Sequence, residues 1–508
     1  MNFIRQLKLL SKDTLVYGFG NALGQLIILL TAPILTRIFV PSDYGVIALL
    51  QTMINFLIMI AGFNLISGVY RYYFEYDDSK TKKIILSTSF LFYLGFGLFF
   101  SSVTWIGAPL LEKIILMRQS GVSDSVNYEY VKYIRILSIG IVFSMMTMNF
   151  LSVMRITRQP YKYMTLNILQ GVTNFALIIL LVVYMKLGIG GALWASVVSN
   201  MIICLVGFFM VVKHYALVFS FSFLFLLFSY ALPQFPSGIL NWGVIQSNRF
   251  FLNYYASLTQ QGYYAIAFKI GMIFVLFSTA FRLAWDPFAL SIMKNKDAAS
   301  TYSQVFTLYV VGFGLLSGCI ALFAKPILII LTPESYHIAH SISFILIMAF
   351  LYQGSNNILG IGICISKQTK YLSYSQGVAF VVNIALNFLL IPYFYAWGAA
   401  LAFVGGMIAQ SFAYYYFAQH VYPIPYQFYR LHSFILILFS IIMVEVYIIK
   451  DFSLLYSTLT ATLFVPLIGS LAWKLGLSPG ERQKAIVLMS PFLVKWNLSK
   501  GSVPGSYN

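Results

Sequence analysis

Five basic residues lie within or at the ends of long apolar segments, where a charge needs a specific reason to be. Lys269 stands inside such a segment, Arg37 and Arg249 close two others, and Arg71 and Arg282 stand at further segment ends. A charge inside a membrane is costly and usually faces a cavity. Cations lining one cleft would hold a phosphate or diphosphate group, to which Arg adds paired hydrogen bonds. The alternative is that these long side chains reach the lipid head groups, and it is weakest for Lys269, which lies deepest.

Amide side chains recur inside the same apolar segments. Asn21 and Gln25 are one helical turn apart and share a face, and Asn241 lies in a later segment. Further amides within segments are Asn167, Gln170, Asn174, Gln246, Asn356, Asn383 and Asn387. Because a polar group facing lipid is costly, these side chains should face protein or water. Hydrogen bonds between helices account for any single amide. As a set, the amides indicate a wet cleft that can bind a hydroxyl-rich ligand.

No constellation of residues indicates catalysis, and we expect neither a metal nor a cofactor. The five His are scattered, and no Walker A sequence is present. Cys204, Cys319 and Cys364 fall within apolar segments and form no CxxC motif, so we expect no disulfide. Glu445 is the only acid that we place within an apolar segment, and local pairing is favoured there over ion coupling. The sequence thus favours a protein that is not an enzyme.

The elements that must position these residues are membrane helices. Charged residues make up only 9% of the 508 residues and apolar residues 60%, whereas soluble domains are about 25% charged. Most apolar runs approach the roughly 20 residues that a spanning helix needs, without the alternation of a barrel. We predict an all-α integral membrane protein of about 14 helices: Val16–Ile38, Tyr44–Tyr70, Ile84–Ile106, Val131–Met154, Tyr163–Tyr184, Gly190–Val212, Phe221–Ile245, Tyr263–Leu283, Val305–Ala324, Ile342–Ile365, Leu372–Ile391, Trp397–Phe417, Phe434–Ile449 and Leu454–Trp473.

The distribution of positive charge predicts the orientation in the membrane. Of the 32 Lys and Arg, 22 fall on the side of both termini, 9 fall on the opposite side, and Lys269 lies within a helix. Cytoplasmic loops carry the excess of basic residues, so both termini are predicted to be cytoplasmic. The net charge of +18 is explained by these topology signals and by contact with anionic lipid. No nucleic-acid partner is needed.

An internal repeat organises the chain. Arg158-Gln159, Tyr163, Asn174 and Gly191-Ala192 return as Lys367-Gln368, Tyr371, Asn383 and Gly398-Ala399, and Arg37 returns as Arg249. The spacing of about 210 residues covers six helices, so the two halves enter the membrane in the same sense. We predict two six-helix lobes around a central cleft, with two appended helices. The predicted boundaries are 1–215, 216–420, 421–475, and a cytoplasmic tail at 476–508. Pro33, Pro233 and Pro236 bend the first helix of each lobe and mark it as a candidate gate.

Three short stretches carry a family resemblance. They are Pro33-Ile34-Leu35-Thr36-Arg37 followed by Pro41-Ser42-Asp43-Tyr44-Gly45, then Ser247-Asn248-Arg249 with Gly262-Tyr263-Tyr264, and Trp285-Asp286-Pro287-Phe288. In order and spacing the chain resembles the bacterial polysaccharide-repeat-unit flippases of the O-antigen and capsule (Wzx) type. These belong to the multidrug/oligosaccharidyl-lipid/polysaccharide exporter superfamily. That family commonly has Asp before the arginine at 249, whereas this chain has Asn248, which removes a local ion-pair partner.

The resemblance implies a multi-pass protein of the bacterial inner membrane. It would turn undecaprenyl-diphosphate-linked oligosaccharide from the inner to the outer leaflet by alternating access. A cationic cleft would hold the diphosphate and glycan, and membrane lipids would surround the protein. The resemblance also leaves room for H⁺ or Na⁺ as a coupling ion and for contact with a polysaccharide polymerase.

Three other functions stay open at this point. A drug or toxin antiporter shares the twelve-helix core, but an antiporter for cationic drugs needs acidic residues deep in its cleft. A lipid II flippase would suit fourteen helices and a cationic lumen. A glycan polymerase or ligase would need catalytic polar residues in a large external loop, and the external loops of this chain are modest.

Overall fold

The computed structural model describes residues 29–116, 129–448 and 453–482, together with residues 16, 18, 20 and 22–27. Within this part of the chain, twelve helices are long and apolar enough to cross a membrane, and a shorter apolar helix precedes them. One of the twelve, Lys370–Val421, holds two passes because Tyr395 departs from helical geometry (φ 49°, ψ −124°). The prediction of an all-α protein with about 14 membrane helices is therefore confirmed.

We number the membrane helices in chain order. They are α1 (Ala22–Ile38), α2 (Pro41–Gly62), α3 (Ser79–Ile106), α4 (Tyr130–Ile156), α5 (Pro160–Tyr184), α6 (Gly188–His214), α7 (Phe221–Tyr255), α8 (Leu258–Ser291), α9 (Ala298–Leu322), α10 (Ala339–Ile365), α11 and α12 (370–394 and 396–421), α13 (Phe428–Ile448) and α14 (Leu454–Gly476). Short helices at Leu65–Tyr73, Ala108–Leu116 and Ala324–Leu331 flank them. We call the membrane face that carries Val40, Ser257 and Pro333 the Val40 face.

Several helices begin earlier or end later than predicted, as α8 does (Leu258–Ser291 against the predicted Tyr263–Leu283). Two further differences concern α2 and α7. The segment predicted as Tyr44–Tyr70 is broken after Gly62, because Phe63 and Asn64 adopt left-handed backbone angles (φ 45° and 54°). Helix α7, predicted to end at Ile245, continues to Tyr255. About three further turns of helix keep the backbone hydrogen bonds satisfied within the membrane.

Helices of the two halves pack in corresponding pairs. Helix α3 packs on α4 and α4 on α6, just as α9 packs on α10 and α10 on the α11–α12 segment. Helix α5 packs closely on α1, since a Cβ atom on Gly20 or Gly24 would overlap α5. In the second half, α11 packs on α7 in the same way. The repeat-related residues Arg158 and Lys367 both have left-handed backbones (φ 52° and 61°). This correspondence is what two repeats of six helices predict, while the lobe boundaries at 215, 420 and 475 stay predictions.

The two halves touch closely at the Val40 face. A Cβ atom on Gly262 of α8 would overlap the carbonyl oxygen of Pro41, and one on Gly45 of α2 would overlap the carbonyl oxygen of Leu258. Beside them, the Tyr336 hydroxyl donates to the carbonyl oxygen of Phe39 at 2.7 Å. Only glycine permits two helix backbones to approach this closely. The two halves are therefore in direct backbone contact at this face.

Candidate functional site

Arg249 is held at the junction of the two halves. It lies on α7, six residues before the helix end at the Val40 face. Its Nη1 donates to the Thr52 Oγ1 of α2 at 2.7 Å, and its guanidinium carbon lies 5.0 Å from the centre of the Phe268 ring of α8. The Thr52 hydroxyl donates to the carbonyl oxygen of Ala48 at 2.7 Å, which leaves its oxygen free to accept. Arg249 Nε is buried without a hydrogen-bond partner among the described residues.

Lys269 approaches α2 from α8, eight residues before Thr52 along α2. Its Nζ lies 5.3 Å from the centre of the Tyr44 ring, and the side chain is only partly buried. Tyr44 in turn packs edge-on against Tyr336, with ring centres 6.2 Å apart. The aromatic faces of Phe268 and Tyr44 stabilise the two cations without neutralising them. Arg249 and Lys269 therefore both face α2 at the contact between the halves.

Within the part of the chain that the structure describes, neither cation forms an ion pair with an acid. Arg71–Glu75, Lys132–Glu129 and Arg430–Glu481 are ion pairs there, and none of them involves Arg249 or Lys269. Two cations inside membrane-spanning helices without a carboxylate are costly unless an anion or water reaches them. The arrangement suits an anionic ligand, since a phosphate group accepts several charge-assisted hydrogen bonds at once.

The other predicted cations lie elsewhere. Arg37 is exposed at the end of α1, and Arg71 is exposed beyond α2 in a weak ion pair with Glu75 (3.6 Å). Arg282 is exposed on α8, 13 residues from Lys269, which corresponds to about 20 Å along a helix. Arg249 and Lys269 thus both contact α2, whereas Arg71 and Arg282 belong to the opposite end of the bundle.

The structure shows no contact between the described members of the predicted amide set, Gln25 and Asn241. Gln25 is partly buried on α1, and Asn21 lies outside the described residues. Asn241 is exposed on α7, two helical turns before Arg249. The role of these three amides in binding therefore stays a prediction.

Asn248 fixes the orientation of α7 next to Arg249. It is fully buried, and its Nδ2 donates to the Tyr264 hydroxyl of α8 at 3.1 Å. Its Oδ1 accepts from Asn383 (3.2 Å) and Asn387 (2.7 Å) of α11. Asn387 also donates to Asn383, which accepts from Ser247 as well. The neutral amide at position 248 thus joins three helices by hydrogen bonds and leaves Arg249 without an acidic neighbour in the chain.

We expect Asn248→Ala to destabilise the protein by about 1–3 kcal/mol, since it leaves buried partners on α8 and α11 unpaired. The apparent melting temperature of the purified protein in detergent measures this effect. Asn295→Ala, which removes an exposed amide in the loop after α8, is the matched control and should melt as the wild type. Equal melting of both variants would show that the network contributes nothing to stability.

Thr52 and Phe268 are contact residues that the sequence did not single out. A threonine inside a helix commonly satisfies itself on the preceding turn, so its type carries no signal. A phenylalanine is indistinguishable from the other apolar residues around it. Only the packing of α2 against α7 and α8 shows that these two side chains contact Arg249.

The fold is shared with known membrane transporters. The chain is similar to "Lipid II flippase MurJ, inward closed conformation", with a TM-score of 0.67 and 17% identity over 91% of this chain and 98% of that one. It is also similar to an inward-facing multidrug resistance MATE family transporter of the MOP superfamily (TM-score 0.58, 14% identity, 84% and 94% covered). A third match is the Vibrio cholerae MATE transporter VcmN in its bent form (TM-score 0.55, 14% identity, 84% and 97% covered). The chain therefore has the membrane-transporter fold of this superfamily.

A family match narrows this class. Residues 34–281 match the family described as "Polysaccharide biosynthesis protein". No curated protein matches the chain by sequence. The family match and the shared fold support the predicted resemblance to polysaccharide flippases. They also accord with the expectation that the chain is not an enzyme.

Proposed function

We propose that the protein moves undecaprenyl-diphosphate-linked oligosaccharide repeat units from the inner to the outer leaflet of the bacterial inner membrane. The observation that carries this proposal is the pair of cations, Arg249 and Lys269, which contact α2 where the halves meet and form no ion pair with a described acid. A diphosphate supplies the missing negative charge, and the glycan occupies the polar interior. The polyprenyl tail stays in the bilayer throughout, so no covalent chemistry is needed.

Movement follows from alternating access. With the termini in the cytoplasm, the Val40 face is the outer side, and the contacts of Gly45 and Gly262 close it. Release of substrate requires α2 and α8 to separate there, which also breaks the hydrogen bond from Tyr336 to Phe39. H⁺ or Na⁺ is the candidate driving ion. A polysaccharide polymerase is the candidate partner that would use the product on the outer side.

A lipid II flippase is the second candidate, favoured by the likeness to MurJ over 91% of the chain. Lipid II presents the same diphosphate and the same tail with a different glycan. A multidrug antiporter is less suited, because a cationic drug would be repelled by Arg249 and Lys269.

The proposal is tested with the purified protein in sealed liposomes. Undecaprenyl diphosphate carrying an oligosaccharide, or lipid II, is placed in both leaflets, and the fraction reached by an impermeant glycan-modifying enzyme is followed over time. We expect the oligosaccharide carrier to become fully accessible and lipid II to be moved more slowly. Preferential movement of lipid II would select the second candidate, and movement of neither would refute both.

A further inference from the structure

A cavity lies within the first half of the chain, about halfway along its helices. It has a volume of about 260 Å³ and lies between α2, α4, α5 and α6. No charged residue lines it, but five amides do: Gln51, Asn55, Gln170, Asn174 and Asn200. One water occupies about 30 Å³ in the liquid, so the space holds several waters or one sugar ring. We call this space the amide pocket.

Three of the five amides have no hydrogen-bond partner among the described residues. Gln170 donates to the Oδ1 of Asn200 at 3.1 Å, and Asn200 donates to a backbone carbonyl oxygen of its own helix. The side chains of Gln51, Asn55 and Asn174 hydrogen-bond to none of the described residues. An amide without a partner is costly in the apolar part of a bilayer. These three side chains must therefore meet water or the hydroxyl groups of a ligand.

The second half of the chain treats the equivalent asparagine differently. Asn383, the counterpart of Asn174 in the repeat, is fully buried and bonded to Asn248, Asn387 and Ser247. Packing therefore accounts for Asn383 completely. It does not account for Asn174, whose side chain is left open toward the cavity.

The amide pocket is next to the cation site. Gln51 and Thr52 are successive residues of α2, and successive residues of a helix point about 100° apart. Thr52 receives the hydrogen bond from Arg249, while Gln51 lines the amide pocket. Helix α2 thus presents a cation contact on one side and an uncharged polar pocket on the adjacent side.

We propose that the amide pocket binds a neutral sugar ring of the lipid-linked substrate while Arg249 and Lys269 hold its diphosphate. This inference rests on the function proposed above. Carboxamides offer both donors and acceptors, which matches the hydroxyl groups of a sugar. A pocket without cations has no preference for phosphate. The pocket would therefore bind the sugars next to the diphosphate.

Two substrates in the liposome assay test this assignment. One is undecaprenyl diphosphate with its oligosaccharide, and the other is the same carrier without sugar, whose movement is measured with an impermeant phosphatase. We expect Gln51→Ala/Asn174→Ala to slow the glycosylated carrier at least tenfold and to leave the bare carrier unchanged. Arg249→Ala should slow both. Gln304→Ala, which removes an exposed amide that bonds within α9, should slow neither.

The alternative results are distinct. Equal slowing of both carriers by the double variant, or of neither, would overturn the sugar site while leaving the flippase function in place. A wild-type protein that moves neither carrier refutes both proposals. If the double variant does not fold, Asn55→Ser replaces it, and inhibition by the free oligosaccharide is compared with the wild type. Unchanged inhibition by the free oligosaccharide would then overturn the sugar site.

Discussion

Arg249→Ala is expected to reduce flipping about 10- to 100-fold without lowering the amount of protein in the membrane. A hydrogen bond to a charged group contributes roughly 1.5–3 kcal/mol, and each 1.4 kcal/mol is a factor of ten. The folded protein loses only the Thr52 contact and the stacking on Phe268, so it should stay intact. Lys269→Ala should act in the same direction. The liposome assay and the amount of lipid-linked oligosaccharide retained on the cytoplasmic side measure the effect.

Two further variants separate charge from geometry. Arg249→Lys keeps the charge but loses the planar fork, so it should recover only part of the rate. Lys294→Ala removes an exposed cation from the loop after α8 and should flip as the wild type. Normal rates in both Arg249→Ala and Lys269→Ala would remove these residues from the binding site.

Gly262→Ala is expected to keep the Val40 face from closing. Its new methyl group would overlap the backbone of Pro41, which cannot move aside as a flexible side chain can. Helices α2 and α8 must then separate at this face, so the transport cycle stalls and flipping falls at least tenfold. The measurement uses Phe39→Cys in a protein whose three natural cysteines are replaced. A thiol reagent added from the Val40 face should modify this cysteine faster when Gly262→Ala is present than when it is absent, because Phe39 is buried in the closed structure.

Gly377→Ala is the matched control, because a Cβ atom at Gly377 of α11 meets nothing within 4 Å. It adds the same methyl group to a membrane helix and should change neither flipping nor labelling. If Gly262→Ala also left both unchanged, close approach of α2 and α8 would not be part of the cycle.

Much of the fold could be predicted from the apolar runs, because a spanning helix needs a minimum length whatever its neighbours are. The break between α11 and α12 was visible as an interruption of the run, and Tyr395 is where it falls. The break at Phe63 and Asn64 was not visible. Gly62 and Asn64 are weak signals, because both residue types are also tolerated inside membrane helices.

Of the candidate site, the cations could be predicted from the sequence, but their neighbours on α2 could not. Arg249 and Lys269 stand out because a charge is rare in such segments. Their neighbours on α2 do not, since glutamine, threonine and asparagine are tolerated at many places in a bundle. The amide pocket needs the spatial arrangement of four helices, and the repeat alone could not reveal that Asn174 is open while Asn383 is enclosed.

The hydroxyl that meets Arg249 has a consequence for turnover. A neutral hydroxyl oxygen is a weaker hydrogen-bond acceptor for a guanidinium than a phosphate oxygen is. An incoming phosphate can therefore displace the Thr52 hydroxyl from Arg249. When the cargo departs, the same hydroxyl returns to the vacated hydrogen-bond donor and lowers the cost of an empty state. An aspartate at position 52 would instead occupy the cation permanently and compete with every molecule of cargo. Under the proposed function, Thr52 therefore allows Arg249 to bind the diphosphate reversibly.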